Sequence, residues 1–187
     1  MGKHELARRA VFLDRDGVLN RPAVRNGIPH PPSSLNELEF YEDVVHGCAR
    51  LKAANFLLIV ITNQPDVGRG IQSREAVEVM HVKLQSALPS VDRIEVCYHG
   101  GERYGQPCDC RKPRPGLILR AASELNINLK ESYVVGDRWR DIDCAHAAGC
   151  RAIFIQRGYN EILREAPDLT VVSFNEAVNA VLRDASV

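Results

Sequence analysis

Two aspartates, Asp14 and Asp16, follow a short apolar run near the start of the chain, and Gly17 comes directly after them. Such a run is typical of a buried strand that delivers carboxylates to its carboxyl end, where open α/β sheets bind ligands. Side chains two residues apart share one side of extended backbone, so both carboxylates are expected to face one pocket. Carboxylates this close repel each other unless a cation or a shared proton separates them. The pair therefore indicates either a hard-metal site or an acid/base pair.

An isolated Asp-x-Asp is more often a polar strand end that caps the next helix, so its interpretation depends on residues further along the chain. Three later segments favour chemistry. They are Thr62 after the apolar run 56–61, Lys112 in Cys110-Arg111-Lys112-Pro113, and Asp137 in Gly136-Asp137-Arg138-Trp139-Arg140-Asp141. Together with the first motif, these segments resemble those of the haloacid dehalogenase-like phosphohydrolases, in the same order, over roughly residues 10–155.

This resemblance implies hydrolysis of a phosphoester through a covalent aspartyl-phosphate. Asp14 is expected to attack phosphorus, and Asp16 to protonate the leaving oxygen and later activate water. Lys112 is expected to neutralise charge on the phosphoryl group. Asp14, Asp137 and the backbone carbonyl of Asp16 would hold Mg²⁺, which prefers oxygen ligands. Asp141 would support that metal site from outside it.

Four residues are predicted to bind the substrate: Asn20, Thr62, Asn63 and Arg111. Thr62 and neighbouring backbone N–H groups would hold phosphate oxygens. Arg111 would bind a second, remote phosphate if the substrate carries one. Taken alone, Thr62 fits a β-branched strand residue and Lys112 a solvated lysine, so their place in the ordered set is what favours the functional interpretation.

Three cysteines and a histidine are grouped in one glycine-rich stretch: Cys97, His99, Cys108 and Cys110. Three thiolates and one imidazole suit a tetrahedral zinc ion, and four protein ligands are typical of a structural rather than a catalytic site. The alternative is a buried apolar cysteine beside an exposed loop histidine. Two close pairs of ligand types favour zinc. The other cysteines lie in apolar settings and are predicted to belong to the core; they are Cys48, Cys144 and Cys150.

The zinc cluster beside Lys112 resembles the capless, zinc-bearing branch of the phosphohydrolases, which includes heptose 1,7-bisphosphate phosphatases and histidinol-phosphate phosphatases. The Lys-Pro-x-Pro-Gly form of residues 112–116 is closer to the heptose enzymes, which act in lipopolysaccharide or nucleotide-heptose precursor synthesis. Pro31-Pro32 is closer to the other group. Removal of the C7 phosphate of the heptose bisphosphate is therefore the main expectation, and hydrolysis of histidinol phosphate or another small sugar phosphate is the alternative.

Composition limits the other classes of function. The chain has 187 residues, of which 45% are hydrophobic, so a single domain over 1–187 is expected. Lys plus Arg and Asp plus Glu number 24 each, so the chain has no excess of positive charge that would predict nucleic-acid binding. Residues 1–10 lack a signal peptide and no segment reaches a membrane span, which predicts a cytoplasmic protein. We expect a monomer that acts on a small phosphorylated substrate. An inactive zinc-stabilised binding module is the alternative from another class.

The elements that position these residues alternate along the chain. Apolar runs predict strands at 11–13, 56–61, 94–98, 133–136 and 151–155, with an edge strand near 169–172. Helical periodicity falls between them, at 43–55, 73–88, 117–125 and 142–148, with a final helix from about Asn175. This order predicts a doubly wound, Rossmann-like parallel sheet without a large cap domain. Residues 21–40, 65–71 and 98–115 are predicted to be loops.

Overall fold

The computed structural model describes residues 7–185 of the protein. In this range the strands are β1 (Ala10–Leu13), β2 (Ala23–Arg25), β3 (Ile28–His30), β4 (Leu57–Asn63), β5 (Arg93–Cys97), β6 (Tyr133–Gly136), β7 (Arg151–Ile155) and β8 (Leu169–Val171). The α-helices are α1 (Val44–Ala53), α2 (Pro65–Gly68), α3 (Arg74–Ala87), α4 (Gly116–Leu125), α5 (Trp139–Ala148) and α6 (Phe174–Asp184). The expectation about a signal peptide in residues 1–10 falls mostly outside the described residues.

Six strands form one sheet in the order β5-β4-β1-β6-β7-β8, and every neighbouring pair is parallel. The chain builds outward from β1 to β5 and then returns to the other side of β1. The winding direction therefore reverses beside β1, and ligands of open α/β sheets bind at such a reversal. The predicted doubly wound parallel sheet is confirmed.

Apolar side chains cover both faces of the sheet. Along β1, Val11 and Leu13 belong to one buried cluster, whereas Ala10 and Phe12 belong to the other. The first cluster includes residues of α1, α3 and α6, and the second includes residues of α4 and α5. This alternation buries β1 completely, so the acids that follow it are attached to a strand that is packed on both faces.

Helix ends follow side-chain capping. Ser73 accepts a hydrogen bond from the Ala76 N–H and starts α3 as predicted. Helix α5 starts at Trp139, three residues earlier than predicted. The Asp141 carboxylate accepts the Arg138 N–H at 3.0 Å, a capping interaction that begins the helix within the motif itself.

The predicted loop at 21–40 contains a hairpin. Strands β2 and β3 pair antiparallel across Asn26 and Gly27, whose φ angles are 52° and 73°. Positive φ at both central residues gives a two-residue turn that Asn-Gly favours. The Gly27 carbonyl accepts the Asn160 N–H at 3.0 Å, which ties the hairpin to the segment after β7. The predicted loop at 65–71 likewise begins with the short helix α2.

Membrane-spanning helices are not found in the described range, because none of its helices has the length and apolar character to cross a bilayer. Across residues 7–185 the connections between strands also hold no inserted cap domain. The hairpin and the segment 98–115 instead lie over the carboxyl end of the sheet, where their residues line one cavity with Asp14.

Candidate active site

The predicted site residues meet at the carboxyl ends of three adjacent strands. Asp14 follows β1, Thr62 lies near the end of β4, and Asp137 follows β6. Lys112 comes from the segment before α4 and forms an ion pair with Asp14. Parallel strands place their carboxyl ends at one edge of the sheet, so residues distant in sequence become neighbours there.

Lys112 lies at the centre of this group. Its Nζ lies 2.9 Å from Asp14 Oδ1 and 2.7 Å from Asp141 Oδ1, and it donates to the Ile61 carbonyl at 2.9 Å. The contact with the Ile61 carbonyl is a hydrogen bond, and the contacts with the two carboxylates are ion pairs. Burial favours the neutral amine, but the two acids outweigh it and raise the pKa of Lys112. The lysine therefore stays charged and holds both acids.

Three buried carboxylates share this space. Single oxygens of Asp14, Asp137 and Asp141 lie within 4.8 Å of one another. Neither oxygen of Asp137 accepts a well-formed hydrogen bond from a described residue, although the Tyr159 hydroxyl lies nearby. Burial is the main cause that raises the pKa of Asp14 to about 7, and the negative charge of Asp141 is the next. Lys112 opposes this rise. Burial and Asp14 likewise raise the pKa of Asp137. Three acids facing one ammonium leave negative charge that a divalent cation would neutralise.

Gly17 makes this close arrangement possible. Its φ is +95°, and a Cβ built there would lie 1.8 Å from Asp137 Oδ2. Any side chain at this position would therefore overlap the carboxylate, in addition to the strain of left-handed backbone. The glycine of the first motif leaves the space in which the acid of the last motif lies.

Asp16 is held apart from the carboxylate cluster by four hydrogen bonds. The Arg15 guanidinium donates from Nε to Oδ1 at 3.1 Å and from its Nη2 to Oδ2 at 3.0 Å. Asn20 donates to Oδ1 at 3.0 Å, and Gln64 donates to Oδ2 at 2.9 Å. Asp16 still lines the cavity beside Asp14, so its carboxylate is fixed in orientation and remains accessible to a ligand.

The residues predicted to bind substrate occupy different places. Asn20 is fully buried behind Asp16, and its amide also donates to the Arg21 carbonyl. Asn63 exchanges two hydrogen bonds of 3.1 Å with the backbone of Lys112, although it lines the cavity. The buried Thr62 hydroxyl accepts a hydrogen bond from Gln64 at 2.8 Å. This geometry favours supporting roles over direct contact with the substrate. Asn20 would hold Asp16, and Asn63 would hold Lys112.

A cavity of about 260 Å³ opens above Asp14. Four arginines and Lys112 line it against three aspartates, so its cations outnumber its acids although the chain as a whole is neutral. The arginines are Arg69, Arg111, Arg138 and Arg140. Such an excess of fixed guanidinium groups suits an anionic ligand, and guanidinium geometry matches phosphate oxygens.

The predicted cysteine and histidine cluster is brought together. Cys97 Sγ lies 3.8 Å from Cys108 Sγ and 3.5 Å from His99 Nδ1, and Cys110 Sγ lies 3.3 Å from His99 Nδ1. Sulfur at ~2.3 Å and nitrogen at ~2.0 Å from a tetrahedral zinc lie roughly 3.5–3.8 Å apart. The ligand atoms therefore fit zinc in number, type and spacing. Cys48, Cys144 and Cys150 are buried apart from this cluster, as expected.

Sequence reasoning missed the partners of Asp16. Arg15 and Gln64 adjoin predicted residues and could have been found by asking which donors would hold a second carboxylate. His81, which contacts Arg15 and not Asp16 itself, could not be identified from the sequence, because it lies on the buried face of α3, far along the chain. Arg140 was assigned no role, but it lines the cavity.

The comparisons with known proteins agree with this geometry. A family model described as HAD-hydrolase-like matches residues 109–177. A D-glycero-β-D-manno-heptose-1,7-bisphosphate 7-phosphatase of Haemophilus ducreyi is 32% identical over 184 residues, covering 94% of this chain and 98% of the relative. The protein of the same name in Escherichia coli K12 is 36% identical over 165 residues, covering 84% of this chain and 83% of the relative.

A solved structure extends the likeness to three dimensions. It is a D,D-heptose 1,7-bisphosphate phosphatase of B. bronchiseptica, complexed with magnesium and phosphate. The TM-score is 0.80 at 27% identity, covering 94% of this chain and 99% of that one. Similarity of this extent, over sequence and fold together, means that the chain belongs to the D-glycero-β-D-manno-heptose-1,7-bisphosphate 7-phosphatase family of haloacid dehalogenase-like hydrolases.

Proposed function

We propose that the protein is a Mg²⁺-dependent phosphatase that removes the C7 phosphate of D-glycero-D-manno-heptose 1,7-bisphosphate through an aspartyl-phosphate. The observation that carries this proposal is the Asp14–Lys112 pair at the base of a cavity rich in arginine. The names of the relatives support the substrate and favour it over histidinol phosphate. The intact set of Asp14, Asp16, Lys112 and Asp137 disfavours an inactive binding module.

Asp14 is proposed as the nucleophile. Its Oδ1 accepts the Arg15 N–H at 2.7 Å and pairs with Lys112, so Oδ2 is the oxygen left to attack phosphorus. As this bond forms, the ester P–O bond breaks and its electron pair moves to the leaving oxygen. Asp16 supplies the proton that makes this oxygen an alcohol. Lys112 and the arginines stabilise charge on the phosphoryl group.

Asp16 then acts in the opposite sense. It takes a proton from water as the water oxygen attacks phosphorus, and the bond between phosphorus and Asp14 breaks. Inorganic phosphate leaves, and Asp14 returns to a carboxylate. Because one group serves as acid and then as base, its orientation must be kept through both steps.

The buried acid cluster fits Mg²⁺. Asp14 and Asp137 are the proposed side-chain ligands with the Asp16 carbonyl, and the two unpartnered oxygens of Asp137 offer ligand atoms. Bound there, the ion would supply positive charge at the transferring phosphoryl group. Asp141 pairs with Lys112 and caps α5, so its proposed role is to hold the lysine.

A bisphosphate substrate explains the excess of cations in the cavity. One phosphate would lie at Asp14, and Arg111 is the proposed contact for the remote one, with Arg69 and Arg140 as neighbours on the cavity wall. Histidinol phosphate would instead need an acidic or aromatic group near its amine and imidazole. Of the three cavity acids, Asp14 and Asp16 already serve the reacting end, and Asp66 is paired with Arg69 at 3.3 Å.

Zinc is the proposed occupant of the cluster formed by Cys97, His99, Cys108 and Cys110, with a structural role. Arg111 follows Cys110 directly and donates to the His99 carbonyl at 3.2 Å. Ordering of this segment by zinc would therefore also fix Arg111, and Lys112 beyond it. The metal would stabilise the fold and the substrate site together.

The chain is proposed to be a single domain and a monomer in the cytoplasm. It would act on a small phosphorylated ligand and would bind neither nucleic acid nor a membrane. None of the six cysteines, all within the described residues, forms a disulfide bond, which suits a reducing compartment. The described residues form one main sheet with helices on both faces, and this supports a single domain.

Phosphate release with Mg²⁺ present should be faster on the heptose 1,7-bisphosphate than on histidinol phosphate. Arg111→Ala should lower kcat/KM on the bisphosphate by about tenfold to a hundredfold, since it removes a charged contact, and much less on the 7-monophosphate. The matched control is Arg120→Ala, an exposed arginine paired with Glu95 outside the cavity. Equal losses on both substrates would exclude remote-phosphate binding by Arg111, and faster histidinol phosphate hydrolysis would exclude the heptose assignment.

Freshly purified protein should contain one zinc per chain by metal analysis. Cys108→Ala should lose zinc, lower the melting temperature and weaken bisphosphate hydrolysis, because the segment that carries Arg111 and Lys112 loses its support. Cys150→Ala is the control, since this buried thiol lies outside the cluster and zinc content should stay unchanged. Protein that is fully folded and active without zinc would contradict the structural role.

Stability without divalent cations should fall as pH rises. Folded Asp14, with its pKa raised from 3.8 to about 7, keeps a proton that the unfolded chain releases, so stability is lost across that interval. The melting temperature in Mg²⁺-free buffer should drop between about pH 4 and about pH 7, and added Mg²⁺ should raise it more at the higher pH. Asp137→Asn should flatten the dependence, whereas Glu75→Gln, at an exposed acid, should not. A pH-independent Mg²⁺ effect would contradict the carboxylate site.

A further inference from the structure

Arg15 is a buried cation that the hydrolytic mechanism leaves unused. Its side chain is 0% exposed, and it is among the largest completely buried side chains of the described residues. Its guanidinium donates two hydrogen bonds to Asp16, of 3.1 Å to Oδ1 and 3.0 Å to Oδ2. Pairs of this two-bonded form are strong and fix the orientation of both groups. A buried cation of this kind is costly to place in the core unless it has further partners.

His81 provides the second partner. Its Nε2 lies 3.2 Å from the Nη1 of Arg15. A guanidinium can only donate, so Nε2 must carry the lone pair and the imidazole must be neutral with its proton on Nδ1. Nδ1 faces Glu78 at 3.5 Å, and Glu78 accepts the Tyr98 hydroxyl at 2.6 Å. Burial, and next the Arg15 charge, lower the pKa of His81, in agreement with a neutral ring.

We propose that Arg15, braced by His81, is a positioning residue that keeps the Asp16 carboxyl in place for proton transfer. This inference rests on the proposed role of Asp16 as acid and base. A line of side chains then runs from the cavity through Asp16, Arg15 and His81 to Glu78 on the surface of α3. Helix α3 thereby sets the orientation of a group that lies at the end of β1.

The four hydrogen bonds that Asp16 accepts explain why Arg15 must be held in place by His81. A carboxylate has about four lone-pair positions, and the four donors around Asp16 occupy all of them. A proton arriving on Asp16 must displace one donor. The amides of Asn20 and Gln64 are neutral, so they yield more readily than a guanidinium held at two points. Arg15 keeps the carboxyl oriented while its proton is gained and lost.

The leaving group distinguishes this role from general support. A sugar phosphate releases an alkoxide, which needs the Asp16 proton as the ester P–O bond breaks. p-Nitrophenyl phosphate releases a stable phenolate, which leaves without a proton. A misplaced Asp16 therefore slows the first phosphoryl transfer only for the sugar phosphate, and kcat/KM reports this step. The ratio of the two kcat/KM values does not depend on the fraction of correctly folded enzyme.

The experiment measures that ratio for wild type, His81→Leu and His81→Gln with Mg²⁺ present. Proton transfer contributes about a hundredfold to ten-thousandfold to such rates, so partial misplacement in His81→Leu should lower the ratio of heptose bisphosphate to p-nitrophenyl phosphate by about tenfold. His81→Gln retains an acceptor for Arg15 and should restore most of the ratio. Arg15→Lys should lower it as well, because lysine cannot form the two-point contact.

His146→Leu is the control. His146 lies on α5, and like His81 it faces a glutamate, since its Nδ1 lies 2.6 Å from Glu165 Oε2. The ratio of His146→Leu should equal that of wild type. A wild-type ratio in His81→Leu, or equal losses on both substrates, would overturn the positioning role. Failure of the wild type to cleave the heptose bisphosphate would instead overturn the proposed substrate, and the ratio would then be measured on the sugar phosphate that it cleaves best.

Discussion

The charge balance around the Lys112 ammonium is the constraint on which the site depends. One buried cation pairs with Asp14 and Asp141 and donates to the Ile61 carbonyl. Asp137 lies beside them without a well-formed partner among the described residues. Carboxylates cannot be buried this densely unless they are paired, protonated or bound to a metal. The site as a whole therefore requires the lysine and, as proposed, a divalent cation.

Several distant parts of the chain hold Lys112 in place. Asn63, at the end of β4, binds its backbone, and the cysteine and histidine cluster lies on the segment that leads into it. Asp141 holds its ammonium and also begins α5. Support for the nucleophile thus comes from outside β1. In the proposed mechanism a structural zinc influences the chemistry, because the two residues after Cys110 are Arg111, the proposed contact of the remote phosphate, and Lys112.

The sequence predicted the fold well where strands end in polar residues. Buried apolar runs predicted the strands of the main sheet, and the resemblance carried by the ordered motifs predicted that Asp14, Asp137 and Lys112 lie together. Side-chain direction was harder to predict, because Asn20 is buried against Asp16, and Asn63, although it lines the cavity, is bound to the backbone of Lys112. The hairpin was missed although Asn26-Gly27 favours a tight turn, since the surrounding prolines suggested a loop. Contacts such as Arg15 to His81 depend on tertiary packing, and no local pattern encodes them.

Identifying the protein-bound phosphate during turnover tests the aspartyl-phosphate mechanism most directly. Wild-type enzyme with Mg²⁺ and heptose 1,7-bisphosphate would be quenched in acid within the steady state, reduced with borohydride to mark any acyl phosphate, and digested for mass spectrometry. We expect a single reduced carboxyl at Asp14, and none in Asp14→Asn. Marking of another residue, or rapid hydrolysis with no protein-bound phosphate, would contradict this mechanism.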